Sequence, residues 1–355
     1  MQAADELPLI AGDIPGVGGA IRETPEDFAV SEIPAYAAAG RGDHVLATIE
    51  KRDLTTAEAV SAIARALGVS PRDVGTAGIK DRRAVTRQQI SLPPPVTPEA
   101  ARDLDLPGVR VLAAERHPHK LKTGHLAGNR FALRIRRLDV APGEAAQRAR
   151  AILDALAQPP GCPNGYGEQR FGSAGDNAAR GRELVTGDRP MSSEPPRRRR
   201  LLISAYQSSL YNEWLRRRVD DGLYRRVLEG DLMQPVGSRG IFDVEDAARE
   251  QARLDAGEIV PTGPMFGHRM RSPAPHTEAG ERERALLAAE GIELEAFKRA
   301  GKLAMGTRRP IAVPLGDWEV EAADDSLELR FSLPPGAYAT VVLREITKPE
   351  SALRP

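Results

Sequence analysis

The sequence predicts an α+β protein with strands near both ends and helices in the middle. Patterns typical of strands lie at 28–31, 42–49, 131–135, 309–313, 318–321 and 327–331. Helical spacing or capping signals mark 55–68, 141–157, 200–219, 243–256 and 277–291. A chain of 355 residues is long enough for two domains, each with its own core.

The first helix and the third strand show the reasoning. Thr55 and Glu58 are spaced as a capping box, and the apolar residues after them fall on one helical face until Gly68 ends the helix. The strand at 131–135 alternates Phe131, Leu133 and Ile135 with Ala132 and basic residues. It therefore has one apolar face and one basic face.

Composition favours a soluble globular protein. Hydrophobic residues make up 41% of the chain, and no apolar run approaches the roughly 20 residues of a membrane span. The first residues include acids and no basic segment, so a secretory signal is not expected. The single cysteine, Cys162, excludes an intrachain disulfide and a cysteine-based zinc site. We therefore expect a cytoplasmic protein that uses no metal and no small-molecule cofactor and does not bind a membrane.

The charges balance, with 50 basic and 50 acidic residues. This balance argues against a histone-like binder but not against RNA binding, because clustering matters more than the sum. Basic residues cluster at 134–137, 197–200 and 216–218. Each cluster alone is equally well explained as a solvated face.

The most informative stretch is 74–91, where one acid, Asp81, lies among Lys80, Arg82 and Arg83. The residues from Val74 to Gly78 and from Gln88 to Leu92 are each typical of a strand. Gly78 permits a turn or a close approach, so Asp81 is expected on a loop between these strands. Nearby positive charge keeps such a carboxylate ionised and suits it to act as nucleophile or base on a polyanionic substrate. For the charge cluster by itself, a solvated turn with local ion pairs is the favoured alternative.

The residues from Gly78 to Arg82 and from Ala84 to Gln88 resemble the motif around the catalytic aspartate of the TruD family of tRNA pseudouridine synthases. Further stretches resemble family motifs in the same order along the chain: 22–32, 128–131, 162–172 and 331–340. In 162–172 the chain has Gly165-Tyr166 where the family usually has Tyr-Phe, whereas Asn164, Gln169, Arg170 and Phe171 match.

The resemblance implies a set of site residues. Asp81 would assist cleavage of the glycosidic bond, and Arg22 would orient Asp81 or grip a phosphate. An aromatic ring would stack on an extruded base while an amide binds its Watson–Crick edge. The implied substrate-binding residues are Arg22, Phe28, Lys80, Asn129, Phe131 and Phe331, and those expected to contact RNA are Arg82, Arg134, Arg136 and Arg170.

Each of these assignments has a structural alternative. The phenylalanines would serve equally well as core residues, and Asn129, beside a glycine, suits a turn. The glycine-rich stretch 162–172 suits a hinge as well as an RNA contact.

The resemblance also implies the domain organisation. A catalytic domain with a mixed, mostly antiparallel sheet would comprise residues 1–159 and 304–355, and an inserted, helix-rich α/β TRUD domain would comprise 160–303. A proline in the first turn of a helix is favourable, so Pro335 is expected to begin a closing helix through Ile346.

The implied function is isomerisation of a uridine in tRNA, at position 13 in the D arm, to pseudouridine by a monomeric enzyme. A non-catalytic structured-RNA-binding module on the same scaffold is the alternative. A nucleoside or glycosyl hydrolase is less favoured, because most glycoside hydrolases use paired carboxylates and no second acid accompanies Asp81 in its motif.

Overall fold

A computed structural model describes residues 7–172 and 174–348. The side chains of Glu168 and Gln169 lie outside the described part, and so does the predicted match at Gln169. Within this range the chain forms two compact units. We call residues 15–153 and 315–336 the sheet unit, and the described residues of 7–14, 154–314 and 337–348 the helical unit.

The strands of the sheet unit are β1 (Ala20–Ile21), β2 (Phe28–Pro34), β3 (His44–Arg52), β4 (Gly75–Thr76), β5 (Val85–Leu92), β6 (Val109–His117), β7 (Leu126–Arg136), β14 (Gly316–Ala322) and β15 (Ser326–Leu333). The helices α1 (Thr56–Ala66) and α2 (Pro98–Arg102) lie in this unit, and α3 (Pro142–Ala157) begins in it.

The strands of the helical unit are β8 (Cys162–Pro163), β9 (Leu232–Pro235), β10 (Phe242–Asp243), β11 (Ile259–Met265), β12 (Thr307–Pro310) and β13 (Ala312–Val313). Its helices are α4 (Asn177–Thr186), α5 (Pro196–Asp220), α6 (Ala247–Asp255), α7 (Glu278–Ala289) and α8 (Ala339–Thr347).

The predicted fold class is confirmed. The sheet unit is built on a nine-stranded sheet whose main path runs β14-β15-β7-β2-β5-β3-β6. Only β2 and β5 pair in parallel among the described strands, and the other ladders are antiparallel. The helical unit adds a four-stranded sheet, β10-β9-β11-β12, and the pair β13-β8. The molecule is therefore an α+β protein with a mixed, mostly antiparallel main sheet.

The local signals explain the first helix. The side chain of Thr55 accepts a hydrogen bond from the main-chain nitrogen of Glu58, and Glu58 reciprocates, so the predicted capping box forms. Val60 and Ile63 are buried in the same hydrophobic cluster as Ile49 of β3. This packing covers one part of the sheet's inner face, the face on which Ile49 lies.

The helical unit is organised around α5, which is 25 residues long. Tyr211 and Trp214 of α5 are buried against β11. A Cβ atom at Gly263 would lie 2.7 Å from the Trp214 ring, so this close approach requires glycine. Residues 263–267 resemble a loop of the TruD family, but Gly263 to Met265 belong to β11.

The two chain ends join the helical unit through long-range contacts. The buried carboxylate of Glu345 in α8 accepts hydrogen bonds from the main-chain nitrogens of Ile10 and Ala11, at 2.7 and 3.1 Å. Helix α8 begins at Ala339, so Pro335 precedes it and does not form its first turn. The two units are divided at 14/15, 153/154, 314/315 and 336/337. The domain boundaries expected at 159/160 and 303/304 stay a prediction.

Candidate active site

The loop between β4 and β5 carries Asp81. The side chain of Asp81 is 35% exposed, and its Oδ2 accepts a hydrogen bond from the guanidinium of Arg22 at 3.0 Å. Arg22 has a backbone φ of 60°, a region that non-glycine residues seldom occupy and that costs free energy. The structure thus brings together two predicted site residues that are 59 positions apart, one of them in a strained conformation.

Lys51, in β3, anchors the main chain of Asp81. Its ammonium donates hydrogen bonds to the carbonyl oxygens of Leu54 and Asp81, at 2.6 Å each. Lys51 is fully buried. Burial lowers the pKa of its amine to about 8, and the negative charge of Asp81 opposes that shift.

Lys80 points into the protein. Its Nζ donates a hydrogen bond to Glu32 at 2.7 Å, and the two side chains are 5% and 1% exposed. The main-chain nitrogen of Lys80 donates to Oγ1 of Thr56 at 2.9 Å. The other carboxylate oxygen of Glu32 accepts from the main-chain nitrogen of Gln89. These contacts tie the Asp81 loop to β2 and α1, while the predicted contact of Lys80 with substrate stays a prediction.

The three predicted phenylalanines pack together. Phe131 of β7 lies directly opposite Phe331 of β15, with ring centroids 5.4 Å apart. Phe28 meets Phe131 edge to face at 6.3 Å, and the guanidinium of Arg22 lies 3.8 Å from the centroid of the Phe28 ring. All three rings are buried, and Phe131, at 6%, has the largest exposed fraction of them. The rings therefore form a buried cluster that contacts Arg22 through Phe28, and their contact with substrate stays a prediction.

Asn129 presents an unpaired polar atom beside this cluster. It lies two residues before Phe131, on the same face of β7, and opposite Glu32 of β2. Four buried atoms in this neighbourhood have no hydrogen-bond partner in the described part of the chain: Asn129 Oδ1, Arg22 Nε, Thr86 Oγ1 and Gln88 Nε2. Buried polar groups normally have partners, so bound water or a polar ligand would satisfy these four atoms.

Three of the four arginines expected to contact RNA lie in the sheet unit. Arg82 is exposed in the Asp81 loop. Arg134 donates to Glu328 at 2.6 Å. Arg136 donates to Asp27, a carboxylate that is 1% exposed, at 2.9 Å. Arg134 and Arg136 therefore already balance carboxylates of the protein.

Arg170 lies in the helical unit. Its guanidinium donates to the hydroxyls of Ser208, at 3.1 Å, and Ser204. It also lies 5.3 Å from the ring centroid of Tyr166, and the guanidinium of Arg309 lies 4.2 Å from the same centroid. Tyr166, where the chain departs from the family motif, is therefore the centre of a cation–π cluster.

Sequence reasoning did not single out Lys51, Glu32 or Thr56. A signal for Lys51 was present, because the alternation that buries Val45, Ala47 and Ile49 also places Lys51 on the buried face of β3. Glu32 lies in the motif that begins at Arg22, but no local sequence pattern predicts its ion pair with Lys80.

The described residues lack two features. No helix in this part of the chain has the length and apolarity needed to cross a membrane. No group of three or more His, Cys, Asp or Glu side chains is placed to hold a metal ion in the same residues.

A family model and several relatives of known sequence match nearly the whole chain. The family model for tRNA pseudouridine synthase D (TruD) matches residues 7–190 and 189–346. A tRNA pseudouridine synthase D of Anaeromyxobacter dehalogenans is 48% identical over 352 residues, which are 98% of each chain. One from Thermus thermophilus is 43% identical over 347 residues, 98% of this chain and 94% of the relative.

A solved structure is also similar. The crystal structure of a proposed tRNA pseudouridine synthase D from Methanosarcina mazei superposes with a TM-score of 0.80 at 25% identity. The match covers 98% of both chains, so the similarity extends over both units.

Proposed function

We propose, because this chain belongs to the tRNA pseudouridine synthase D (TruD) family of isomerases, that it converts a uridine of tRNA to pseudouridine. The target is the uridine at position 13 in the D arm, as the family resemblance implies. The site around Asp81 in the sheet unit is where we assign the reaction.

The reaction needs a carboxylate next to the ribose and a pocket that keeps the detached uracil in place. The bond between N1 of uracil and C1′ of ribose breaks, the base turns, and C5 bonds to C1′. C5 loses its proton and N1 gains one, so atoms and electrons balance within the nucleotide. Asp81 assists the first cleavage, and Arg22 holds its carboxylate in place through the 3.0 Å hydrogen bond.

The observation that carries this proposal is the ion pair of Asp81 with Arg22, whose guanidinium also packs on the Phe28 ring of the cluster that includes Phe131. Uracil offers one N–H donor between two carbonyl acceptors on its Watson–Crick edge. Asn129 Oδ1 is an unpaired acceptor and Gln88 Nε2 is an unpaired donor, so the two match that edge in kind. We assign the stacking contact with the extruded base to Phe131, which at 6% has the largest exposed fraction of the three buried rings.

Two routes are open to Asp81. It attacks C1′ to form a covalent intermediate, or it takes the proton from C2′ to form a glycal. Turnover on RNA with deuterium at C2′ of the target uridine separates them. A primary isotope effect on single-turnover rates supports proton abstraction, and its absence supports attack at C1′.

For the RNA contacts we propose that Arg82 and Arg170 meet phosphates. We retain Arg134 and Arg136 as weaker candidates because each already pairs with a carboxylate. Lys80 and Phe28 act on the substrate through the loop and the ring cluster that they support. The monomeric state and the cytoplasmic location expected from the sequence stay predictions.

The test uses an unmodified tRNA transcript and maps pseudouridine in it. Wild type should form pseudouridine at position 13, and Asp81→Asn should lose nearly all activity while still binding tRNA. Asp105→Asn, a change of the same kind at an exposed position of the sheet unit, should keep full activity. Binding by wild type without any pseudouridine would favour the RNA-binding module, and release of free uracil would favour a hydrolase.

A further inference from the structure

Ile79 is the most exposed large hydrophobic side chain in the described part of the chain. It is 89% exposed, whereas the next, Val236, is 50% exposed. It lies two residues before Asp81. An exposed isoleucine forgoes the stabilisation that its burial would provide, so this placement beside a reactive carboxylate calls for a functional explanation.

The main chain on both sides of Ile79 is anchored. Ala77 is buried, and its carbonyl oxygen accepts a hydrogen bond from the main-chain nitrogen of Gly124 at 2.8 Å. The main-chain nitrogen of Lys80 donates to Thr56 at 2.9 Å, and its side chain is held in a buried ion pair. The fold thus presents Ile79 to solvent from a fixed loop, and the exposure is built into the structure.

The surroundings of Ile79 are cationic. Arg82 and Arg83, which follow Asp81, are both exposed, and the guanidinium of Arg22 reaches Asp81 from another part of the chain. An apolar tip among arginines fits a nucleic acid, whose phosphates lie outside and whose apolar base stack lies inside. Binding to a lipid surface or an apolar protein groove needs more apolar area than a single side chain provides.

We propose that Ile79 is a wedge residue that enters the base stack of the RNA and fills the place left by the target uridine. The inference rests on the proposed function and deepens it. A stacked uridine must leave the stack before its C1′ reaches Asp81, and this extrusion costs free energy. Inserted apolar side chains offset such costs in other nucleic-acid-binding proteins.

The spacing between Ile79 and Asp81 allows one to enter the base stack while the other contacts the ribose. Two residues of extended chain span at most about 7 Å, so Ile79 and Asp81 act on neighbouring parts of one nucleotide step. Ile79 fills the gap in the stack while Asp81 meets the ribose of the extruded nucleotide. Ile79 is therefore a positioning residue, and it takes no part in bond breaking.

The first test compares two RNA substrates. One is the folded tRNA transcript, and the other is an unstructured oligonucleotide with the same sequence around the target uridine. Ile79→Ala should lower kcat/KM on the folded tRNA about tenfold or more and leave kcat/KM on the oligonucleotide nearly unchanged. Ile79→Leu should restore most of the activity, because it keeps an apolar wedge.

The matched control is Leu112→Ala, which shortens another exposed hydrophobic side chain of the sheet unit, 40% exposed and on β6. It should leave both substrates unaffected. If Ile79→Ala lowers kcat/KM equally on both substrates, Ile79 acts on the loop structure or on the chemical step. If kcat/KM is unchanged on both substrates, Ile79 has no role in substrate opening. Both outcomes overturn the proposal.

A second readout does not depend on turnover. A 2-aminopurine placed next to the target uridine becomes brighter when the stack opens on binding. The increase should occur with wild type and with Asp81→Asn and be lost with Ile79→Ala. If wild type forms no pseudouridine but the increase still depends on Ile79, the proposed function fails and the wedge stands. If pseudouridine forms but the fluorescence increase is the same with Ile79→Ala, the wedge proposal is wrong and the proposed function stands.

Discussion

The buried amine of Lys51 donates a hydrogen bond to the main-chain carbonyl oxygen of Asp81 at 2.6 Å, although the two residues are 30 positions apart. The carboxylate of Asp81 is held separately by Arg22. The position of the proposed reactive group therefore depends on two cations, one on its main chain and one on its side chain.

Lys51→Met should lower kcat on tRNA about tenfold or more, because a shift of Asp81 by a fraction of an ångström weakens its alignment with the ribose. KM should change little, because Lys51 is buried away from RNA. The control is Lys120→Met, which removes another bond from a lysine to a main-chain carbonyl, that of Arg72, at an exposed position. Wild-type kcat in Lys51→Met would contradict the positioning role.

Lys51 should also make stability depend on pH. Its pKa is about 8 in the folded protein and has the ordinary value of 10.5 in the unfolded chain. Between these values the unfolded chain binds more protons, so the contribution of Lys51 to the free energy of unfolding rises with pH, by up to roughly 1.4 kcal/mol per pH unit. Denaturant unfolding of wild type and Lys51→Met across this window measures the difference. If the difference in free energy of unfolding between the two proteins stays constant or falls as pH rises, the pKa of Lys51 is not lowered by folding.

The buried pair of Lys80 and Glu32 should contribute strongly to stability. Glu32→Gln leaves the Lys80 ammonium buried without its counter-charge, which should cost about 3 kcal/mol. Combining Glu32→Leu with Lys80→Met removes both charges and should recover most of that loss. Glu258→Gln, which breaks an exposed pair with Arg253, should cost less than about 1 kcal/mol. Urea unfolding measures all three, and a Glu32→Gln protein as stable as wild type would rule out a tight pair.

Phe131 and Phe331 should respond differently to the same substitution. Phe331 is fully buried, so Phe331→Leu should lower the Tm and leave turnover per folded molecule nearly unchanged. Phe131→Leu should lower turnover as well, because loss of stacking on the base costs about 1–3 kcal/mol. Both variants lose the pair between these rings, worth about 0.5–1.5 kcal/mol, so each controls for the other. A destabilised but fully active Phe131→Leu protein would remove Phe131 from the substrate pocket.

The arginines should differ in their effect on the salt dependence of tRNA binding. Arg82→Ala should reduce the log–log slope by about 0.9, the value for one phosphate contact. Replacing Arg134 and Arg136 together should change the slope less, because both are paired with carboxylates. Arg136→Ala should also lower stability, because it leaves the buried Asp27 uncompensated. A larger slope change for the Arg134 and Arg136 pair than for Arg82 would place RNA on that face of β7.

Much of the secondary structure was predictable because its causes are local. The capping box of Thr55 and Glu58 forms as expected, and the alternation at 131–135 lies within β7. Predictions failed where a distant contact decides the outcome. Glycine and proline favour a loop at Gly263, yet this residue lies in β11, where it pairs with Arg309 of β12 and leaves room for the Trp214 ring.

The sequence by itself determined that Asp81 lies on a loop between strands and that the chain resembles one family of RNA-modifying isomerases, because turns, caps and motifs are contained within a few neighbouring residues. The tertiary structure decided which residues hold that loop. Lys51 and Glu32 reach it from positions 30 and 48 residues away from their partners, and no periodicity relates positions so far apart. The same long-range anchoring buries Lys80, because its ion pair with Glu32 holds that side chain inside the protein, while the neighbouring Ile79 side chain is 89% exposed.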